Sequence, residues 1–285
     1  MPKTKEENKL IEGLYRTSWL ELTQPRTEKL LKIDHLNLIG PVLRLFKYFE
    51  NAFLTFGQRS MATEVFYPTL IEKRVLEQAE YFASFPNLAI DVGKNYFLSP
   101  AVCYQVYPTL ESKIIGEKLS VFSTQSKCFR NEKKFDIAEG RFKEFTMREI
   151  VFIGDYEHVE ELRKKLILDV LNFTESLKLS GVIEKSSDPF FTSLPDGRGK
   201  KLLQQLKPLK FELKVAMPSG PMAIASFNLH EDFFGRSFNI KLQSRENATS
   251  GCVAFGIERW VLGFLSQYGL DIKYWPNEVK AATHG

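Results

Sequence analysis

Two apolar runs near the middle of the chain are separated by charged residues whose types and spacing could bind a nucleotide. Residues 128–153 read CFRNEKKFDIAEGRFKEFTMREIVFI. Residues two apart in a strand share a face, so Arg130 and Glu132 point the same way. Arg141 and Phe145 are four apart and can share a face as well. An ordinary hairpin needs a polar turn, but it does not need these charges on its strands.

These residue types suit adenosine triphosphate. Arg130 could bind a phosphate or a carboxylate with its planar fork. Glu132 could accept a hydrogen bond from the adenine amino group, and Phe145 could stack on the base while an arginine covers the other side. The alternative is a hairpin with cross-strand ion pairs, and spacing alone leaves both interpretations open.

The three cysteines, Cys103, Cys128 and Cys252, are the second candidate for chemistry. An odd count with wide spacing does not indicate a disulfide framework. Buried thiols are the ordinary interpretation, and metal ligation or nucleophilic catalysis is the sharper one. Without a further pattern these alternatives stay open.

Composition is typical of a globular protein. The chain has 285 residues, 44% of them apolar and 26% charged, which suffices for one large domain or two small ones. No run approaches the ~18 continuous apolar residues of a membrane-spanning helix. The N-terminus MPKTKEENKL has no apolar signal core. We therefore expect a cytoplasmic protein with no membrane partner.

The net charge of +4 is too small to indicate a nucleic-acid-binding surface by itself. Positive charge is concentrated in GRGKK at 197–201 with its neighbours Lys207 and Lys210, and in a second cluster: Lys127, Lys133, Lys134 and Lys143. Each cluster is either a solvated surface or part of a binding site.

The coarse order of elements predicts the fold class. Apolar spacing predicts helices within 27–56, interrupted by Pro41, and over 71–85, 157–179 and 255–269. Ser99–Pro100 predicts a helix start. Extended segments are predicted before Pro68, on both sides of the charged loop, and within 180–250 at FELKVAM, MAIASFNL and SFNIKLQ.

Strands occur in runs with helices around them, without strict alternation. This order favours an α+β fold, an antiparallel β-sheet flanked by helices. No linker divides the chain, so we predict one domain over 1–285, with 1–59 as a helical N-terminal extension.

The charged segment resembles motif 2 of the class II aminoacyl-tRNA synthetases: Phe-Arg-x-Glu, a loop, then an arginine with a phenylalanine four residues later. ATEVFYPTLIEKRVL, which contains Pro68, is similar to motif 1, a strand with a proline beside a long helix. GCVAFGIERWVLGFL is similar to motif 3, with Gly256, Glu258 and Arg259. Three motifs in order imply the class II catalytic-domain fold, and a homodimer through the motif 1 region.

Residues 207–236 resemble the seryl-synthetase segment that ends in Ser-x-Ser-Asn-x-x-Asp-Phe. Ala223 stands where seryl enzymes have a glutamate that helps to hold magnesium. The residues before motif 1 are too few for the long coiled-coil arm that binds tRNA. We therefore expect neither the usual magnesium site nor tRNA as a partner.

A closer resemblance is to the amino acid:[carrier protein] ligases, truncated homologues related to the atypical zinc-dependent seryl-tRNA synthetases. Both groups hold zinc with a Cys, a Glu and a second Cys, and Cys103, Glu149 and Cys252 match that pattern. Three such ligands leave one position open, which in the family takes the substrate α-amino group. Cys128 is then a packed core residue.

The resemblance also implies roles for single residues. Arg130 and Arg259 are the expected catalytic residues, with Arg130 at the α-phosphate and the substrate carboxylate. Glu149 and Asn228 are the expected amino-acid contacts, and His230 and Asp232 carry little weight. The expected ATP-binding residues are Arg130, Glu132, Arg141, Phe142, Phe145, Ser226, Asn228 and Arg259.

The implied reaction has two steps. An amino-acid carboxylate attacks the α-phosphate of ATP, and the phosphopantetheine thiol of a carrier protein then takes the aminoacyl group. Expected cofactors and partners are Zn²⁺, Mg²⁺, ATP, a carrier protein and a small amino acid, glycine or alanine. The alternatives are a seryl-like aminoacyl-tRNA synthetase and a non-catalytic paralogue that acts as a binding or regulatory module.

Overall fold

The computed structural model describes residues 15–16, 38–116, 118–133, 136–186 and 209–283. The helix predicted before residue 38, most of the predicted N-terminal extension, and the basic GRGKK cluster lie outside the described residues. The sheet and the helices that position the candidate site lie within them.

An eight-stranded sheet forms the centre of the protein. Its spatial order is β1-β8-β9-β10-β11-β7-β6-β2. Every neighbouring pair is antiparallel except β2 and β6, which are parallel. The strands are β1 (Tyr15–Arg16), β2 (Thr63–Val65), β6 (Ser120–Phe129), β7 (Glu144–Gly154), β8 (Gly181–Lys185), β9 (Lys210–Val215), β10 (Met222–Glu231) and β11 (Thr249–Gly256).

Helices cover one face of this sheet, which confirms the predicted α+β class. The three long helices are α1 (Gly40–Arg59), α4 (Tyr156–Ser176) and α6 (Ile257–Tyr268). They share a core with every second residue of the central strands, such as Ile150, Phe152 and Phe255, all fully buried. The shorter helices are α2 (Lys73–Gln78), α3 (Tyr81–Ser84), α5 (Phe233–Ser237) and α7 (Asn277–Thr283).

A second, smaller core lies on the opposite face of the sheet. It contains Val151 and Ile153, the alternate residues of β7, together with Tyr104 and Phe234. Above it lies a three-stranded sheet, β3 (Leu70–Glu72), β5 (Tyr96–Leu98) and β4 (Ile90–Gly93), in that order. The central sheet is therefore covered on both sides, and the candidate site opens on this second face.

Strand β7 sends consecutive charged residues to opposite faces. Arg148 is 4% exposed and donates hydrogen bonds to Ser123 Oγ at 3.1 Å and, across to β2, to Glu64 Oε1 at 3.4 Å. Glu149 is 1% exposed and faces the second core. The alternation of a strand explains how two adjacent charges reach separate environments.

Several predicted elements differ in detail. The helix predicted over 71–85 is two short helices, α2 and α3, because Glu80 between them has a left-handed backbone with φ of 49°. No helix starts at Ser99–Pro100. The Ser99 hydroxyl donates to the Ala101 carbonyl and does not cap a helix, and the first helical turn that follows is a 3-10 turn at Cys103–Gln105. Pro41 does not interrupt a helix but lies in the first turn of α1.

The strand predicted at SFNIKLQ (237–243) was wrong. Its alternating Phe238 and Ile240 are buried, but the backbone pairs only through isolated bridges at Lys241. Strand β11 was missed, because its residues Thr249–Gly256 include small side chains with little strand preference. The predicted end of the final helix is confirmed, since Gly269 follows α6 with φ of 74°.

Among the described residues, none of the helices combines the length and the apolar character that a bilayer crossing requires.

Candidate active site

A cleft on the second face of the sheet collects most of the predicted site residues. It consists of a cavity of about 440 Å³ and an adjoining one of about 120 Å³. The thiol end of the cleft is lined by Cys103, Glu149, Cys252 and their neighbours, and the arginine end by Gly140, Phe142, Phe145 and Gly256. Residues that line both cavities, Arg130, Glu132, Lys210, Glu212, Ser226 and Arg259 among them, join the two ends.

Strand register brings distant residues together at the thiol end. Cys252 of β11 lies opposite Val151 of β7 and opposite Asn228 of β10. Glu149 is two residues from Val151, so it shares that face. Directly opposite residues of antiparallel strands point to the same side, and so Cys252, Asn228 and Glu149 converge.

Cys103, Glu149 and Cys252 form a compact group. One ligand atom from each lies within 4.8 Å of the other two, and all three side chains are buried. Glu149 Oε1 also accepts a hydrogen bond of 3.3 Å from the Cys103 backbone N–H. The structure thus brings together the three residues that the sequence predicted as ligands. Cys128 is fully buried beside Val102 and Met147, outside this group, as predicted.

Each acidic group in this cluster retains its proton more strongly than usual. Hydrogen bonding with Cys252 and burial raise the pKa of the Cys103 thiol. The hydrogen bond from Cys103 lowers the pKa of Cys252, but burial and Glu149 outweigh it, and the balance is upward. Burial raises the pKa of Glu149. The cluster holds three groups that each become anionic when they lose a proton. Among the described residues, no cationic side chain is part of it.

That arrangement fits a zinc ion. Thiolate and carboxylate are ordinary zinc ligands, and a bound divalent cation favours their deprotonated forms. Three protein ligands would leave a coordination position open toward the cavity. When bound, such an ion supplies positive charge and an open position for a ligand nitrogen or oxygen.

Two residues of β10 contact the Cys252 sulfur. Asn228 Nδ2 donates to it at 3.3 Å, and His230 Nε2 lies 3.6 Å away. His230 Nδ1 lies 3.2 Å from the Tyr107 hydroxyl and 3.1 Å from Ser250 Oγ, which favours the tautomer with the proton on Nε2. Burial lowers the pKa of His230 to about 3, so the ring is neutral. His230 was expected to carry little weight, and the structure places its ring against the Cys252 sulfur.

Arg130 lies where the two ends of the cleft meet. Its Nε donates to the Pro100 carbonyl at 3.1 Å, and its guanidinium lies 5.0 Å from the centre of the Phe145 ring. Its backbone N–H bonds the Lys143 carbonyl at 2.9 Å, which joins the two sides of the motif 2 loop. The guanidinium is partly buried, and Arg130 lines both cavities of the cleft.

Arg259 is fixed at the arginine end by two backbone carbonyls. Its Nε donates to Gly140 O at 2.8 Å, and its Nη1 to Ala223 O at 3.1 Å. Burial, with Arg130 and Arg141 nearby, lowers its pKa to about 10, which leaves it charged at neutral pH. The preceding Glu258 is buried and accepts hydrogen bonds from Thr146 N and Oγ1 at 2.7 and 2.8 Å. This contact ties the start of α6 to β7 and thereby positions Arg259.

The other predicted residues divide into two groups. Phe142, Phe145, Ser226 and Glu132 line the arginine end, and Asn228 lines the thiol end. Arg141 does not line either cavity, because its exposed side chain pairs with Glu139 at 3.2 Å. Asp232 is also outside the cleft, in an ion pair with Arg236 at 3.1 Å.

A buried ion pair in the cleft was not predicted from the sequence. Lys210 Nζ lies 2.8 Å from Glu212 Oε1, and the side chains are 8% and 14% exposed. The signal was the alternation in β9, where Lys210, Glu212 and Lys214 occupy one face and Phe211 and Leu213 the other. Tyr81, at the thiol end, was also missed, and no sequence pattern marks it.

Fold and site together are those of a class II aminoacyl-tRNA synthetase core. The family model described as tRNA synthetase class II core domain (G, H, P, S and T) matches residues 87–268. The fold is also that of M. kandleri SerRS, solved in complex with A. aeolicus tRNASec, with a TM-score of 0.82 at 19% identity. That match covers 98% of this chain and 66% of the other.

Curated relatives identify a narrower family within this class. Amino acid--[acyl-carrier-protein] ligase 1 of Bradyrhizobium diazoefficiens is 31% identical over 261 residues, 80% of this chain and 79% of the relative. The type-2 serine--tRNA ligase of Methanocaldococcus jannaschii is 31% identical over 203 residues, 68% of this chain but 38% of that protein. The chain belongs to the amino acid–[acyl-carrier-protein] ligases, a family of ligases, as the motifs predicted.

Proposed function

We propose that this protein activates an amino acid with ATP and transfers it to the phosphopantetheine thiol of a carrier protein. The observation that carries the proposal is the continuous cleft, which has arginines at one end and the Cys103–Glu149–Cys252 group at the other. A nucleoside triphosphate requires positively charged side chains such as these arginines. A small amino acid suits the Cys103–Glu149–Cys252 group. The named relatives in the family support the carrier protein as acceptor.

The first step follows from what lines the arginine end. Arg130 would hold the amino-acid carboxylate and the α-phosphate together, and Arg259 the outer phosphates. A carboxylate oxygen attacks the α-phosphorus, the bond to the β-phosphate breaks, and pyrophosphate leaves with the electron pair. Glu132, Phe142 and Phe145 would contact adenine, with Ser226 on the ribose or substrate side.

Magnesium would be bound chiefly by substrate phosphates, as is usual for this ion. Ala223 offers no carboxylate, and its carbonyl is bonded by Arg259. Glu212 is the carboxylate of β9 that lines the same end and fits a supporting role. Arg141, being exposed, would act on the outer phosphates through its charge.

In the second step the carrier thiolate attacks the acyl carbon of the adenylate. A carbon–sulfur bond forms, AMP leaves, and the thiol proton passes to solvent. Glycine or alanine is the proposed amino acid. An ion held by Cys103, Glu149 and Cys252 would bind the α-amino group, so a substrate with little or no side chain could still be held. Asn228, beside Cys252, would contact the same substrate.

We extend the proposal to domain and assembly. Residues 1–285 would form one catalytic domain, with 1–59 as its N-terminal extension, and two copies would associate through the motif 1 region. Met61 and Phe66 near Pro68 are 90% and 85% exposed, which is unusual for side chains of this size. Light scattering after size exclusion tests the dimer, and Phe66→Glu should give a monomer if this surface is the contact.

ATP–pyrophosphate exchange with a panel of amino acids, with and without a chelator, tests the activity. We expect exchange with a small amino acid that the chelator abolishes, followed by loading of a carrier protein. The relatives named type-2 serine--tRNA ligase favour one other candidate, a seryl-like tRNA synthetase. Loading of tRNA but not of a carrier protein would establish that candidate. No exchange with any amino acid would leave only a binding or regulatory module.

A further inference from the structure

Two buried polar atoms at the thiol end have no hydrogen-bond partner among the described residues. They are Tyr81 Oη and Asn228 Oδ1, on side chains 3% and 4% exposed. Both residues line the 440 Å³ cavity. Buried polar groups nearly always form hydrogen bonds, because a buried donor or acceptor without a partner destabilises the fold. Two such atoms on residues that line one cavity point to a ligand that bonds both.

Tyr81 is held rigidly in this position. Its ring packs edge-on against Tyr104, with 5.5 Å between centroids, and at a tilt against Phe85, with 5.2 Å between centroids. The helix that carries it begins directly after Glu80, whose left-handed backbone is costly for a residue other than glycine. Local strain spent to place a side chain is common at ligand sites. The hydroxyl is therefore preorganised, although it bonds nothing within the described residues.

The chemistry of the two atoms is complementary. Burial raises the pKa of Tyr81 to about 12, so its hydroxyl stays protonated and can donate, and the nearby charge of Arg130 opposes that rise. The Asn228 amide nitrogen is used by Ser226 Oγ at 3.2 Å and Cys252 Sγ at 3.3 Å, which leaves its oxygen to accept. A donor beside an arginine suits a carboxylate, and an acceptor beside the thiols suits the N–H of an amino group.

We infer that Tyr81 binds the substrate amino acid by donating its hydroxyl to a carboxylate oxygen, while Asn228 Oδ1 accepts from the α-amino group. This inference rests on the proposed function. One carboxylate oxygen attacks the α-phosphorus beside Arg130, and the other, held by Tyr81, becomes the acyl oxygen of the adenylate. That same oxygen gains negative charge when the carrier thiolate attacks, so one hydroxyl serves both steps.

The test is Tyr81→Phe, which removes only the hydroxyl. Because this hydroxyl is unbonded in the free protein, the variant should melt at the same temperature as the parent or about 2 °C higher. The KM for the amino acid in exchange should rise about tenfold or more, the loss of one hydrogen bond to a charged group. The KM for ATP should stay within about twofold, and the rate of transfer to a carrier protein should fall as well.

Tyr268→Phe is the matched control. The Tyr268 hydroxyl donates to Leu177 O at 2.7 Å, far from the cleft, so its loss should lower the melting temperature and leave both KM values unchanged. In an active parent, unchanged amino-acid KM and transfer rate in Tyr81→Phe would overturn the inference and leave the proposed function standing. A lowered melting temperature with unchanged kinetics would assign the hydroxyl to the fold. A parent that exchanges with no amino acid would overturn the proposed function, and this inference with it.

Discussion

The two ends of the cleft are built in opposite ways. At the thiol end, Cys103, Glu149 and Cys252 are buried, and Asn228 and His230 support them with hydrogen bonds. At the arginine end, Arg130 and Arg259 are partly exposed and come from a loop and a helix start. A buried cluster suits a small ligand held by direct contacts. Partly exposed arginines suit an extended polyanion such as the triphosphate that we propose.

Because of this difference, we expect substitutions at the thiol end to cause a large loss of both bound zinc and exchange activity. Cys252→Ala removes one of the three proposed ligands, so bound zinc should fall from about one per chain to nearly none, and exchange should disappear with it. Metal analysis of the purified protein and the exchange assay measure the two effects. Cys128→Ala, which removes a buried thiol outside the group, is the control and should retain the metal. Full activity in a zinc-free Cys252→Ala protein would refute the site.

At the arginine end we expect loss of rate with the metal retained. Arg259→Ala removes a cation from the position that we propose for the outer phosphates, and exchange should fall about 10²–10³-fold. Zinc content should not change, since among the described residues Arg259 donates hydrogen bonds to the Gly140 and Ala223 carbonyls and to no ligand of the thiol group. Rate assays with metal analysis on the same sample provide the comparison. Joint loss of zinc and rate would show that the two ends are not separate.

The supporting layer of the thiol end can be tested through His230. Removing a hydrogen bond to a metal ligand commonly weakens metal binding about 10–100-fold, and His230→Ala should do so. His230→Gln can still present an N–H toward Cys252 and should bind metal within a few-fold of the parent. Competition with a chelator measures the affinity, and the sulfur-to-cobalt absorption of the cobalt form reports on Cys252. Equal affinities in both variants would remove His230 from the site.

The smallest effect is expected at Arg141. Its exposed side chain pairs only with Glu139 among the described contacts, and surface charges contribute little. Arg141→Ala should raise the KM for ATP by less than about fivefold, without changing the melting temperature or the zinc content. An effect as large as that of Arg259→Ala would mean that the loop closes over the nucleotide and buries Arg141 there.

Residues close in sequence and typical of their elements could be predicted. The β6–β7 hairpin is rich in β-branched and aromatic residues. Its strands place Arg130 and Glu132, just after the end of β6, and Phe145, near the start of β7, on either side of one loop. Helix α4 was predictable because its apolar residues recur at helical intervals, and Asp155 caps its start by accepting from His158 N at 3.0 Å.

Contacts between distant segments could not be predicted from residue patterns. Glu149 and Cys103 meet across 46 positions of sequence, and Cys252 joins them only through the register of β11, a strand with weak preference of its own. Family resemblance supplied this set where periodicity could not. Neither family resemblance nor periodicity predicted Tyr81. Its position depends on the break between the two short helices at Glu80, and no sequence pattern predicts a left-handed backbone at a glutamate.

Strand β7 has a mechanical consequence. Arg148 and Glu149 are joined by one peptide bond, yet Arg148 is tied to Glu64 on the β2 edge and Glu149 to the Cys103 backbone on the other side of the sheet. The two side chains point to opposite faces because successive residues of a strand alternate. A substitution of Glu64 at the β2 edge therefore perturbs the same strand, one residue away from the Glu149 carboxylate.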